Sequence, residues 1–143
     1  MNVNSLAKIG YAVLRIVSGL LFFHFGAMII LGWFGGMPGG KPAAVMSQTW
    51  IGGMLELIGG LAMAAGLFTR PVAFILSGEM AVAYWQFHAP NGPWPAQNQG
   101  TPAILFCFLF LYMAAQGGGC YSLDALLCKK GADKDAAKEP PQP

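Results

Sequence analysis

The stretch from Trp50 to Pro71 reads WIGGMLELIGGLAMAAGLFTRP, and within it GGMLELIGG, Gly52 to Gly60, sets a single carboxylate, Glu56, between two glycine pairs. The run is apolar and long enough for a membrane helix, which needs roughly 20 mostly apolar residues. A charged carboxylate at mid-membrane costs at least about 2.5 kcal/mol on insertion scales, so Glu56 must be protonated or matched by a cation or a hydrogen-bond donor. At about 100° per residue, Gly52, Glu56, Gly59, Gly60, Met63 and Gly66 fall on one face of the helix. A small, glycine-rich face lets a second helix come close in a membrane. Glu56 is therefore expected to point into a bundle and not at lipid.

Composition widens this reading to the whole chain. Hydrophobic residues make up 55% and charged residues only 10% of 143 residues, against about a quarter charged in an average soluble domain. Mean hydropathy is +0.52. Before Leu123 the only charged residues are Lys8, Arg15, Lys41, Glu56, Arg70 and Glu79. A net charge of +2 with no basic stripe gives no argument for nucleic acid. Cys107, Cys120 and Cys128 form no CxxC and no Cys/His set with zinc spacing, so no metal site is expected. Lys8 and Arg15 precede an apolar stretch as in a signal peptide, but no small-x-small cleavage site follows before Gly35, and the stretch reads as a retained span.

Four spans are expected, over Gly10–Leu31, Trp50–Phe68, Pro71–Phe87 and Pro102–Gln116. The breaks between them are chemical: a Gly/Pro run from Gly35 to Pro42, a turn at Thr69-Arg70-Pro71, and a proline-rich loop from His88 to Pro102. Gly117 to Gly119 end the last span, and Tyr121 to Leu127 suit a short interfacial helix. The fold class is all-α, an integral membrane four-helix bundle over residues 1–128 with a charged, mobile cytoplasmic tail, KKGADKDAAKEPPQP, over 129–143. With both termini inside, the inner side holds Lys8, Arg15, Arg70, Lys129, Lys130, Lys134 and Lys138, and the outer side only Lys41. Trp33, Trp50, Trp85 and Trp94 then lie at the outer ends, as an interfacial belt or as the lining of an outer pocket.

The ionisable groups inside these spans are the candidate site. Glu79 lies roughly 13 Å from the inner end of the third span and Glu56 roughly 20 Å from the same end, so the two are expected near each other. Two close acids in low dielectric are expected to hold a proton between them. Arg15 sits at a depth closer to Glu79, and an Arg15–Glu79 pair is expected; His24 lies about 13 Å further out along the same helix, nearer the depth of Glu56. Each of these has a purely structural reading, as a registry-fixing ion pair, a protonated donor to a carbonyl or an interface residue. Taken together, ionisable groups facing a bundle interior point to function. Glu56 and Glu79 are the candidate catalytic residues, with Arg15, His24, Trp50, Trp85 and His88 as candidate binding residues.

These residues resemble the DoxX family of bacterial four-helix membrane proteins. The resemblance covers Arg15 to Leu127 and is carried by WIGGMLELIGGLAMAAGLFTRP, AVAYWQFHAPNGPWPAQNQG, FCFLFLYMAAQGGGCYSLDALL and GWFGG after the first span. It implies an inner-membrane protein, associated with thiosulfate:quinone oxidoreductases or with complexes handling thiol and oxidative stress. The chain departs from the family's usual polar cluster. Where relatives often carry His-Gly-x-x-Lys late in the first span, this chain has Phe25, Gly26 and Ile29, and Thr101 stands where an acid often enters the fourth.

Three readings follow. A redox-associated subunit would hold a quinone, bound non-covalently, near the outer halves of the first three spans. A non-catalytic accessory subunit would pack against other membrane subunits or further copies of itself. A proton path or small transporter through Glu56 and Glu79 ranks last, because no broken-helix repeat is present. Thiol–disulfide exchange by the chain itself ranks below these.

Overall fold

The computed structural model describes residues 2–37, 39 and 41–136. Five α-helices follow one another: α1 (Val3–Leu31), α2 (Gln48–Ala65), α3 (Thr69–Ala83), α4 (Thr101–Gln116) and α5 (Leu123–Ala136). No strand occurs among the described residues. α3 runs on into a π-helical turn at Tyr84–His88 and a 3-10 turn at Ala89–Asn91. The expected interfacial helix ends not at Leu127 but at Ala136, so the first part of the expected mobile tail is helical; residues 137–143 lie outside the described residues.

The two glycine pairs of α2 decide how the bundle closes. A Cβ on Gly60 would stand 2.3 Å from the Phe23 nitrogen of α1, and one on Gly19 of α1 would stand 2.4 Å from the Ala64 nitrogen of α2. Further along, a Cβ on Gly26 would stand 2.3 Å from the Leu57 nitrogen and 2.7 Å from the Gly53 oxygen. Gly19 therefore faces Gly60, and Gly26 faces Gly53, so α1 and α2 run antiparallel with backbones in contact. Both helices repeat glycine at a seven-residue spacing, the period that keeps a seam facing its partner in a left-handed crossing. Gly52 and Gly59 point the other way, toward Glu79 and Leu76 of α3. The single glycine face expected from the sequence is thus two faces, one residue apart.

α3 and α4 form the second pair, tied by the Ser77 hydroxyl donating to the Cys107 carbonyl oxygen at 2.8 Å. Phe22 of α1 closes the ring of helices, meeting Phe106 and Phe110 of α4 edge-on at 4.9 and 4.6 Å between ring centres. The core is small: Phe22, Met63, Leu76, Phe110 and Met113 are almost fully buried. The outside is apolar as well, with Phe74, Leu105 and Phe108 about two-thirds exposed. An apolar exterior of this extent suits lipid, not water. α1 is long and apolar enough to cross a bilayer unaided; α4 is apolar but shorter.

At the end of the bundle where α2 turns into α3, a polar clasp replaces the expected Arg15–Glu79 pair. Arg15 is buried and donates to the carbonyl oxygens of Met63 (2.5 Å), Ala64 (2.8 Å) and Tyr121 (2.6 Å). It caps the last turn of α2, where carbonyls lack helical partners and the helix dipole favours a cation. Met63 and Glu56 are separated by about 10 Å of helix axis, so an Arg15 engaged there is spent on backbone and leaves both carboxylates alone. Asp124 clips the other side of the turn. Its carboxylate accepts from the Phe68 nitrogen at 2.7 Å and the Thr69 nitrogen at 2.9 Å, and its own N–H donates to Gly66. The turn itself is Gly66 to Phe68, both ends left-handed (φ +69° and +48°), so Thr69 begins α3 instead of lying in the turn. Tyr11 joins the clasp by donating to the Gly117 carbonyl oxygen at 2.5 Å.

Alanine at Gly19 or Gly60 drives a methyl into backbone and is expected to cost about 1–3 kcal/mol, as overpacking does. Alanine at Gly10 or Gly78, where nothing lies within 4 Å, is expected to be neutral or slightly stabilising. Thermal melts in detergent separate the two groups, and equal stability of Gly60→Ala and Gly78→Ala would refute the backbone contact.

Arg15→Met leaves three carbonyls without their donor and is expected to lower stability by about 3 kcal/mol or more. Partial burial opposes ionisation of Asp124, but the Thr69 and Phe68 N–H groups outweigh it and hold its carboxyl below the ordinary aspartate value. A carboxylate with a depressed folded-state value stabilises fully above its unfolded value and loses that contribution as pH falls through the folded one. The wild type is therefore expected to lose thermal stability below about pH 4, and Asp124→Asn to show a flatter acid limb. Parallel acid profiles for the two proteins would rule this out.

Candidate functional site

The glycines that turn toward α3 leave space beside Glu56. That space is a cavity of about 510 Å3 between α1, α2 and α3, near the end where α2 begins. Its walls are mostly apolar, among them Ile29, Ile51, Leu55, Ile75, Met80 and Phe87. Its polar groups come from three places: Gln48, Thr49 and Glu56 on α2, Glu79 on α3, and His88 at the end of the π-helical turn. The volume lies within the roughly 300–1,000 Å3 of small-molecule sites, and a few polar groups on an apolar wall is their usual make-up.

Both carboxylates are half-buried, and among the described residues neither Glu56 Oε2 nor Glu79 Oε2 has a hydrogen-bond partner. Glu79 reaches across to α2: its Oε1 lies 3.1 Å from where a Cβ on Gly52 would stand. Gly52 is one helical turn from Glu56, so the glycine that α2 lacks a side chain at is the gap through which the two acids share a cavity. A buried polar atom without a partner costs free energy, and here two such atoms line one pocket. That arrangement is what a site for a ligand or an exchanging proton requires.

His88 is held in place from outside the cavity. Its Nδ1 lies 3.1 Å from the Asn98 carbonyl oxygen, which can only accept, so Nδ1 carries a proton and donates. The Tyr84 ring stacks on the imidazole at 6.5 Å and 24°. Asn98 is itself buried and fixes its loop by donating to the Gly92 oxygen and accepting from the Gly100 nitrogen, each at 2.8 Å. The π-helical turn widens the end of α3, a distortion frequent at functional sites. The Gln48 amide donates to the Gln86 side-chain oxygen and so ties this turn to the start of α2.

Of the residues singled out in the sequence, the cavity gathers Glu56, Glu79 and His88. Trp50 is half-buried in an adjoining apolar groove. Arg15 belongs to the clasp at the opposite end. His24 packs against Phe34 with ring centres 4.5 Å apart and planes tilted by 40°, and Trp85 is exposed; neither lines the cavity. Gln48, Thr49 and Asn98 were not singled out. Their signal was faint: a helix-starting Ser47 fixes where Gln48 and Thr49 fall, and a buried asparagine in a Pro-rich loop carries no mark of its own.

The DoxX family model matches residues 10–89, which hold α1 from Gly10 onward, α2 and α3 with the cavity wall, but not the loop that orients His88. An uncharacterized protein of Haemophilus influenzae (strain ATCC 51907 / DSM 11121 / KW20 / Rd) is 38% identical over 122 residues, covering 83% of this chain and 91% of the relative. Inner membrane protein YqjF of Escherichia coli (strain K12) is 30% identical over 139 residues, covering 87% of this chain and 97% of the relative. No solved structure matches the chain. The match of more than half the chain to the family model, together with relatives that align over nearly their full length, makes this chain a member of the DoxX family of membrane proteins.

Proposed function

We propose that the chain is an inner-membrane subunit of a quinone-linked redox complex, and that the cavity beside Glu56 and Glu79 receives the quinone head. The observation that carries this is one apolar cavity whose polar groups are two carboxyls with unpartnered oxygens and an oriented imidazole. A quinone head is flat and apolar with two carbonyl acceptors, and its reduction takes two electrons and two protons. Protonated carboxyls at the two oxygens supply the hydrogen bonds and the protons, as positioned acids do in general acid catalysis. The electrons come from a partner electron-transfer subunit. The chain crosses the membrane four times with both termini in the cytoplasm, which follows from the distribution of Lys and Arg and puts the cavity in the outer half. That the Escherichia coli relative is an inner membrane protein supports the inner membrane as the place of this chain.

A non-catalytic accessory subunit is the second reading. What favours it is that Arg15, His24 and Trp85 stand away from the cavity, so fewer groups are available to a ligand than the sequence offers.

In the assembled complex, Glu56→Gln and Glu79→Gln are each expected to lower quinone reduction by at least about a hundredfold, with assembly unchanged. Unaltered kinetics in an assembled Glu56→Gln complex would sink the redox reading. Large subunits recovered in fixed ratio from gentle detergent, with rates indifferent to both glutamates, would establish the accessory role.

Reporter fusions at residues 1 and 143 are expected to report cytoplasm at both ends. Fusions on opposite sides would contradict the four-span topology.

A further inference from the structure

The cavity does not end at its polar groups. A groove of about 290 Å3 adjoins it between α2 and α3, and Ile51, Leu55 and Ile75 line both spaces. The groove adds Trp50, Met54, Ile58 and Gly59 from α2 and Val72 and Leu76 from α3. None of these side chains is charged. The cavity spans Gln48 to Glu56 of α2 and Ile75 to His88, whereas the groove reaches Ile58 and Gly59 of α2 and back to Val72 near the start of α3. It thus lies deeper along the helices, away from the loop carrying His88. Ile58 and Ile75 are more than half exposed, so the groove is open at its side.

We propose that the site takes an amphiphile with a quinone head and an isoprenoid or alkyl tail, the head in the cavity and the tail along the α2–α3 groove toward the bilayer centre. This rests on the quinone reading above and adds the tail and its path. Two features argue for this occupant over loosely held lipid. The shared walls at Ile51, Leu55 and Ile75 make the groove continuous with the one space where carboxyls lack partners. Gly59 lets Leu76 approach to within 2.9 Å of where a Cβ would stand, so the groove floor is pinned by close packing. A phospholipid would have to bury an ionised phosphate in a mostly apolar cavity, whereas a quinone head is uncharged and its carbonyl oxygens accept from the protonated carboxyls of Glu56 and Glu79.

The test uses the full chain in nanodiscs and measures binding of a tail-less quinone, its decyl analogue and a long-chain prenyl quinone, in the wild type and in Ile58→Trp. Ile58 is exposed and touches neither carboxylate site, and the larger ring occupies the groove. The tailed ligands are expected to bind about tenfold more weakly in Ile58→Trp, the loss expected when a few methylenes are expelled from apolar contact, while the tail-less quinone binds unchanged. Native mass spectrometry is expected to show decyl quinone displacing any copurified lipid. Equal affinities of tailed ligands in both proteins, or a copurified phospholipid that decyl quinone does not displace, would overturn the tail path and leave the quinone head site standing. Wild type that binds neither tailed nor tail-less quinone would overturn both.

Discussion

The architecture depends on backbone-to-backbone contact between α1 and α2. Four glycines, Gly19 and Gly26 on one helix and Gly53 and Gly60 on the other, let the main chains approach to where any Cβ would collide. In a membrane the hydrophobic effect does not press helices together, so close van der Waals packing has to hold them. The contact also sets rotation. With Gly53 and Gly60 turned to α1, the neighbouring Gly52 and Gly59 are turned by one residue's worth of helix toward α3, and Glu56 falls between the two seams. The carboxylate is sheltered because both flanks of its helix are committed to neighbours.

The bundle has two chemically different ends. At one, Arg15, Asp124 and Tyr11 cap the turn between α2 and α3 with hydrogen bonds, while Arg15 Nε and Thr69 Oγ1 have no partner among the described residues. At the other, α3 loosens into a π-helical turn and the cavity opens beside two acids without partners. The first end is closed by backbone caps, and the second opens on a cavity. Stability and capacity for ligand are thus separated along the axis, with α2 running from one to the other.

The sequence made the helices legible because a long apolar run between Gly/Pro breaks has few other readings. It also made Glu56 and Glu79 legible, since a carboxylate in such a run is rare and conspicuous. The split of the glycine pairs was not. Adjacent residues on a helix differ by about 100°, so assigning Gly59 and Gly60 to one face blurs two partners into one. Arg15 was found but given the wrong partner. A search for an opposite charge cannot find backbone carbonyls, which every residue carries and no residue type marks. Asp124 lies 55 residues from Thr69 in the chain, and nothing local to Ser-Leu-Asp tells which helix start it will cap. The resemblance had already joined the Leu-Phe-Thr-Arg-Pro turn with Ser-Leu-Asp as features that occur together; the clasp supplies the physical reason.

The clasp has a consequence for biogenesis. Tyr121 and Asp124, which complete the caps of α2 and α3, lie just before α5 and in its first turn, and so leave the ribosome after α1 to α4. Until they emerge, the guanidinium of Arg15 has only the α2 carbonyls to bind and the first turn of α3 lacks its anion. The α2–α3 hairpin can form but lacks two of the contacts that close its turn. A nascent chain ending short of Tyr121 would leave Arg15 without one of its three carbonyl acceptors and the start of α3 without Asp124.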